Sequence, residues 1–132
     1  VKGLALNIQQ QTRDNDKYRK VLYTSKNSQV VLMSLLPNQE IGLETHPNND
    51  QFIRIETGEG KVVIDENKYT VEGGSAVLVP AGAEHNVINT SGEDKLKLYT
   101  IYSPPHHKDA IEFDKKEPAE SSKEEFDGQT TE

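Results

Sequence analysis

Nine short runs of β-type residues follow one another between Val21 and Ser103, and nothing between them has the spacing of a helix. They cover residues 21–24, 29–36, 41–45, 51–56, 61–65, 68–72, 76–79, 86–90 and 96–103. Turn-forming residues separate them: Pro37-Asn38, Asp65-Glu66-Asn67 (a hairpin tip, with Asn67 able to take φ > 0), Gly73-Gly74 and Ser91-Gly92-Glu93-Asp94. Strands this short and this regularly punctuated build an all-β sandwich or barrel. Several alternate cleanly. Gln51, Ile53 and Ile55 share one face, and Phe52, Arg54 and Glu56 the other. Leu96, Leu98, Thr100 and Tyr102 oppose Lys97, Tyr99 and Ile101, and neither face is wholly polar. Such a strand is covered on both sides, by its own chain or by a second subunit.

The chain has 132 residues, which suits one domain with a single core. The barrel is expected over residues 21–114, after an N-terminal extension of residues 1–20. A short helix is expected over residues 12–20, with Thr12 as its N-cap. Pro104-Pro105 stops the last strand, because proline cannot donate to a ladder. From Lys115 onward the residues are mostly Glu, Lys, Ser, Asp, Gly and Thr, with only Ala119 and Phe126 apolar besides Pro118, so residues 115–132 read as a disordered acidic tail.

The net charge of −7 lies mostly in that tail: Glu112 to Glu132 holds eight acidic residues against three lysines. The remainder is nearly balanced and carries no basic stripe, so no nucleic-acid partner is expected. A negative surface likewise disfavours anionic membranes. No apolar run approaches the ~20 residues of a bilayer span. No long apolar segment follows Val1-Lys2-Gly3-Leu4, so no signal peptide is expected there, and a cytoplasmic location is. There is no cysteine, so any metal must be held by nitrogen and oxygen.

Two stretches share one shape, a glycine followed by β-type residues and then a histidine beside a tight turn. The first runs from Gly42 through Glu44, His46 and Gln51 to Gly58, and the second from Gly74 through Pro80, Gly82 and His85 to Asn89. Residues two apart on a strand face the same way, so Glu44 and His46 point to one side. Gln51 begins the next strand, and His85 comes from a distant hairpin. Two imidazoles, one carboxylate and one amide can then meet inside the barrel, a donor set that suits a divalent first-row metal.

The chain resembles the cupins (the RmlC-like cupin superfamily). Gly74, Pro80, Gly82, His85 and Asn89 match every fixed position of the second cupin motif, G-x5-P-x-G-x2-H-x3-N. The first motif, G-x5-H-x-H-x3,4-E-x6-G, is matched with departures. Gly42 opens it closer to the histidine places than the motif has it, His46 falls on its second histidine and Gly58 closes it. Glu44 occupies the place of the first histidine and Gln51 that of the glutamate. The resemblance covers residues 21–103 and implies a double-stranded β-helix, or jelly-roll barrel. It implies metal ligands at Glu44, His46, Gln51 and His85, with the same net ligand charge as the usual three histidines and one glutamate. It also implies a homodimer.

Among cupins, the chain looks most like small bacterial members described as mannose-6-phosphate isomerase-like. That resemblance implies a small-molecule enzyme acting on a sugar or keto acid, with zinc, iron, manganese or nickel as Lewis acid. Glu44 is then a catalytic candidate that shuttles a proton, which would leave three ligands. The alternatives are a metal-dependent dioxygenase and a non-enzymatic small-molecule binding module. Gly58-Glu59-Gly60 reads as a plain turn and Arg54 as a solvated charge. Phe52, Tyr99 and Tyr102 read as core or interface aromatics, and Asn89 as a turn-fixing side chain. His106-His107 is expected to be a surface pair, or else a lid near the barrel mouth.

Overall fold

The computed structural model describes all residues from Val1 to Glu132. Its elements in chain order are α1 (Ile8–Asp14), β1 (Arg19–Thr24), β2 (Gln29–Leu35), β3 (Glu44–Thr45), β4 (Asp50–Thr57), β5 (Glu59–Ile64), β6 (Asn67–Glu72), β7 (Ala76–Val79), β8 (Glu84–Asn89), β9 (Leu96–Ser103), β10 (Glu112–Phe113) and α2 (Lys116–Ser121). Two antiparallel sheets face each other across one core. One is ordered β10-β1-β2-β9-β4-β7 and the other β3-β8-β5-β6. This is the jelly roll that the cupin resemblance implied, and it falls within the all-β class that the strand spacing pointed to.

Register grades the barrel interior from polar to apolar. At one end Gln29, Tyr102 and Gln51 lie side by side across β2, β9 and β4. The next inward rank is Val31, Thr100 and Ile53, and the one after it Met33, Leu98 and Ile55. Leu35 beside Leu96 ends the series. In the facing sheet His85 pairs with Glu44 on one side and Ile64 on the other, while Val87 pairs with Val62 further in. The apolar ranks, with Val71 and Val79, form the continuous core. The polar rank is left at the mouth.

Local chemistry holds the closed end. Asn89, placed at the end of β8, donates from Nδ2 to the carbonyls of Leu35, Leu36 and Asp94 and accepts at Oδ1 from Ser91 N–H. One side chain thus ties three segments, the turn-fixing role expected of it. Gly58 turns β4 into β5 at φ 96°, and a Cβ there would stand 2.6 Å from the Lys95 carbonyl oxygen. Gly60 is equally confined, by the Ile88 carbonyl.

Four expectations are corrected. The helix is Ile8–Asp14, capped by Asn7, whose side chain accepts from Gln10 N–H. Thr12 is instead buried within it, its hydroxyl donating to the Ile8 carbonyl 2.7 Å away. The helix ends early because Asn15 bonds its own local backbone through Lys17. The hairpin tip puts Asp65 and Glu66, not Asn67, at φ > 0, as a two-residue primed turn between paired Ile64 and Asn67 requires. The run at 41–45 keeps only Glu44–Thr45 as strand, Ile41 bonding Val87 through its N–H alone.

Residues 115–132 are not a disordered tail. Ala119 of α2 joins the core, Phe126 N–H bonds the His106 carbonyl, and Thr131 exchanges backbone and side-chain bonds with Thr24. Composition misled here because the segment is held by polar contacts at the barrel mouth, which need no apolar run.

Candidate functional site

The polar mouth rank and the strand ends around it bring the expected residues together. His46 follows β3, its carbonyl accepting from Gly82 N–H at 2.9 Å, so the two motif turns hold each other. His85 faces it from β8, with ring centroids 5.1 Å apart. Gln51 lies at the start of β4. All three are buried, to 5%, 4% and 4% exposure respectively. Glu44 is half-buried at the rim, with Oε2 3.4 Å from His46 Nε2 in a contact that lacks hydrogen-bond geometry.

Hydrogen bonds decide which atoms remain free. His85 Nδ1 lies 3.1 Å from the Ala83 carbonyl, which can only accept, so Nδ1 is the donor of that bond and Nε2 takes no part in it. Gln51 donates from Nε2 to Tyr102 Oη at 3.3 Å, and Tyr102 lies 3.4 Å from His107 Nε2. His107 Nδ1 donates to Glu124 Oε1 at 2.7 Å. This relay fixes the amide with its oxygen free. His46 Nε2 and Gln51 Oε1 are both buried without a hydrogen-bond partner. Buried acceptors are rarely left so, and such orphans need an explanation.

No three His, Cys, Asp or Glu side chains anywhere in the molecule stand as a preformed metal cage. The set assembled here is of another kind, two imidazoles and an amide oxygen, with Glu44 at the rim. Its unpartnered acceptor atoms are what a nitrogen-and-oxygen metal site offers.

The expectation of a surface pair at His106-His107 is corrected: both stand at the barrel mouth, the place named by the alternative reading. The His106 ring lies 4.2 Å from that of His46 and 5.2 Å from that of Tyr102. Gln29 holds both histidines in place. Its Oε1 accepts from His106 and His107 N–H, and its Nε2 donates to the His107 carbonyl. Alternation could have revealed Gln29 and Tyr102, since each falls on the inward face of its strand beside Gln51. Arg19 and Glu124 gave no sequence signal. They line a cavity of about 220 Å³ at the mouth, together with Glu44, His106 and His107.

Burial sets the charge state of these groups. It pushes His46 down to about 3, helped by repulsion from His106, His85, His107 and Arg19. His106 is pushed down to about 4, again chiefly by burial and next by His107, against the opposing pull of Glu124. Burial raises the Glu44 carboxyl, with Arg19 opposing. An unfolded histidine protonates near 6.5, so between that pH and about 4 the unfolded chain binds protons that the folded chain refuses. Stability is therefore full above pH 6.5 and falls as pH drops. The slope is at most about 1.4 kcal/mol per pH unit for each histidine. Thermal melts of metal-free protein are expected at lower temperature at about pH 5 than at about pH 7.5. Equal melting temperatures would refute buried neutral imidazoles.

A β-barrel whose mouth gathers two histidines and an amide from two glycine-to-histidine motifs is a cupin in architecture. Comparison with known proteins agrees: the cupin domain model matches residues 31–102, and the chain belongs to that family. It is similar to YrkC of Bacillus subtilis strain 168, 49% identical over 112 residues that cover 80% of this chain and 60% of that protein. It is also similar to L612 of Acanthamoeba polyphaga mimivirus, 47% identical over 105 residues, 77% of this chain and 66% of that protein. The chain thus spans less than two thirds of the length of these relatives. The crystal structure of BH2720 from Bacillus halodurans superposes with a TM-score of 0.89 at 38% identity, covering 92% of this chain and 96% of that one. No helix is long and apolar enough to cross a membrane.

Proposed function

We propose that the protein is a metal-dependent small-molecule enzyme of the aldose–ketose isomerase type, acting on a sugar or keto acid. The observation that carries this reading is the pair of buried, unpartnered acceptors, His46 Nε2 and Gln51 Oε1, beside the His85 ring. A divalent ion held by His46, His85 and Gln51 would supply a Lewis acid for a carbonyl or hydroxyl oxygen. Glu44 stands outside that trio and faces the mouth cavity. Its burial-raised carboxyl favours taking up and returning a proton at one oxygen, the task of moving hydrogen between adjacent carbons. His106 and Tyr102 wall the site and limit water. A cavity of about 220 Å³ admits a small substrate only.

The test has two parts. Elemental analysis of untagged protein identifies the native metal. Zinc fits this reading, whereas iron with oxygen uptake would turn it toward the dioxygenase alternative. Glu44→Gln, loaded with that metal and offered aldoses, ketoses, uronates and keto acids in deuterated water, is expected to lose at least about 100-fold in exchange at the carbon beside the carbonyl, with metal content unchanged. Loss of metal would make Glu44 a ligand instead. Retained exchange would remove it from the chemistry.

A second copy of the chain is the proposed partner. On the outer face of the larger sheet Leu78, Phe52, Ile101 and Val30 form one row across β7, β4, β9 and β2. Leu78 is 64% exposed, and α1 packs across β4 and β9 elsewhere on that sheet. Sedimentation is expected to give a dimer that Leu78→Lys weakens by about tenfold or more. An unchanged assembly would place the interface elsewhere.

A further inference from the structure

The mouth cavity holds a positive group that the proposed metal chemistry leaves unused. Arg19 opens β1 on its inward face, beside Met33, and its side chain is 11% exposed. A guanidinium carries five N–H donors in a planar fork matched to a carboxylate. Here Nη1 reaches Glu124 Oε1 only at 3.6 Å, too long for a hydrogen bond, and the Tyr18 ring lies 5.6 Å from Cζ. Nε is buried without any partner. A buried arginine so loosely met is costly by itself, because its desolvation is not repaid.

Beside it sits a carboxylate from the C-terminal segment. Glu124 accepts from His107 Nδ1 at 2.7 Å and from Lys108 N–H at 2.7 Å, and its side chain is only 7% exposed. Three donor groups therefore converge on one point: the Arg19 fork, the His107 ring and a backbone N–H. Protein carboxylates are seldom buried unless paired, and this one is brought in by a segment otherwise rich in exposed polar residues. The segment is secured mainly by Ala119 and a few backbone bonds near Phe126 and Thr131, which makes it among the cheaper parts of the fold to displace.

We propose that Arg19, His107 and the Lys108 N–H form a carboxylate seat at the barrel mouth. Glu124 fills it in the ligand-free protein, and the carboxylate of a small hydroxy or keto acid takes it over. The incoming group can use the fork of Arg19 in full, which Glu124 does not. Glu44 lines the same cavity, so a molecule seated there lies beside that carboxyl. As a choice of substrate class this deepens the reading above and rests on it. The seat itself is tested without metal, so that the two can fail separately.

The probe is lactate, with lactamide as its uncharged counterpart, titrated into chelator-treated full-length protein and followed by the histidine ring signals in NMR. A tethered competitor lowers apparent affinity by the fraction of time it vacates the seat. Glu124→Ala is therefore expected to bind lactate about tenfold or more tighter than the unaltered protein. Glu124→Gln keeps the shape but not the charge, and is expected to fall between the two; it also serves if the alanine variant does not fold. Adding Arg19→Gln to either variant is expected to remove the gain, and lactamide to respond to none of these changes. Equal lactate affinity with and without Glu124, no detectable binding to either Glu124 variant, or tightened binding that survives Arg19→Gln would overturn the seat. Failure of the metal reading would show instead as no metal in the untreated protein.

Discussion

His85→Ala is expected to abolish metal retention. With two imidazoles and one amide oxygen as the proposed ligands, deleting one imidazole leaves His46 and a neutral amide, too weak a pair to hold a divalent ion through dialysis. The expected loss exceeds the roughly 10–100-fold typical of a group that only supports a ligand. Metal content by elemental analysis reads it directly. Melting gives a second readout, because an ion that binds only the folded state stabilises by about 2.7 kcal/mol when present at a hundred times its dissociation constant. The unaltered protein should gain that on metal addition and His85→Ala nothing. Equal gains in the two would dismiss His85 as a ligand, whatever the variant's own stability. His46→Ala should behave alike, and Gln51→Ala should show a smaller loss, since an amide oxygen contributes less than an imidazole.

The largest loss of stability outside the apolar core is expected from Gln29→Leu. This side chain is fully buried and answers the N–H groups of His106 and His107, the His107 carbonyl and the Thr24 hydroxyl. Leucine fills similar space and satisfies none of them. Each buried backbone group left unpaired costs about 1–3 kcal/mol, so the three together should cost about 3 kcal/mol or more. Urea unfolding measures this as a lower midpoint at unchanged slope. The same variant should broaden or shift the ring signals of His106 and His107, which lose their anchor. A loss below about 0.5 kcal/mol, as for an ordinary surface change, would mean that the His106–His107 turn is held by something other than Gln29.

The parts of this site that were legible in the sequence are those whose geometry is local. His46 lies two residues after Glu44, just past the end of β3, and Gly82 and His85 stand three residues apart around the start of β8, so spacing alone fixes their relation. The alternating apolar residues of β2, β4 and β9 defined the barrel wall in the same way. What escaped notice depends on long-range register. Gln29 meets His107 across 78 residues, and Asn49 reaches the Pro104 carbonyl across 55. Those pairings bring the chain after Pro105 back over the mouth, and no periodicity records them. The C-terminal segment was misjudged for a related reason. Its anchors are single residues, Ala119, Glu124 and Thr131, scattered through a composition that otherwise belongs to solvent.

The hydrogen-bonded series Gln51–Tyr102–His107–Glu124 has a thermodynamic corollary. Its two ends belong to different tasks: an amide oxygen proposed to hold an ion, and a carboxylate proposed to yield to a ligand. Exchanging Glu124 for another carboxylate alters the bond that His107 Nδ1 donates, and through Tyr102 the bond offered to Gln51. Binding free energies are reciprocal, so if acid binding alters ion affinity by some factor, the ion alters acid affinity by the same factor. Lactate titrations with and without metal measure that factor from one side, and metal titrations with and without lactate from the other. Agreement between the two would make the barrel mouth one cooperative unit, with ion and acid each setting the terms on which the other enters.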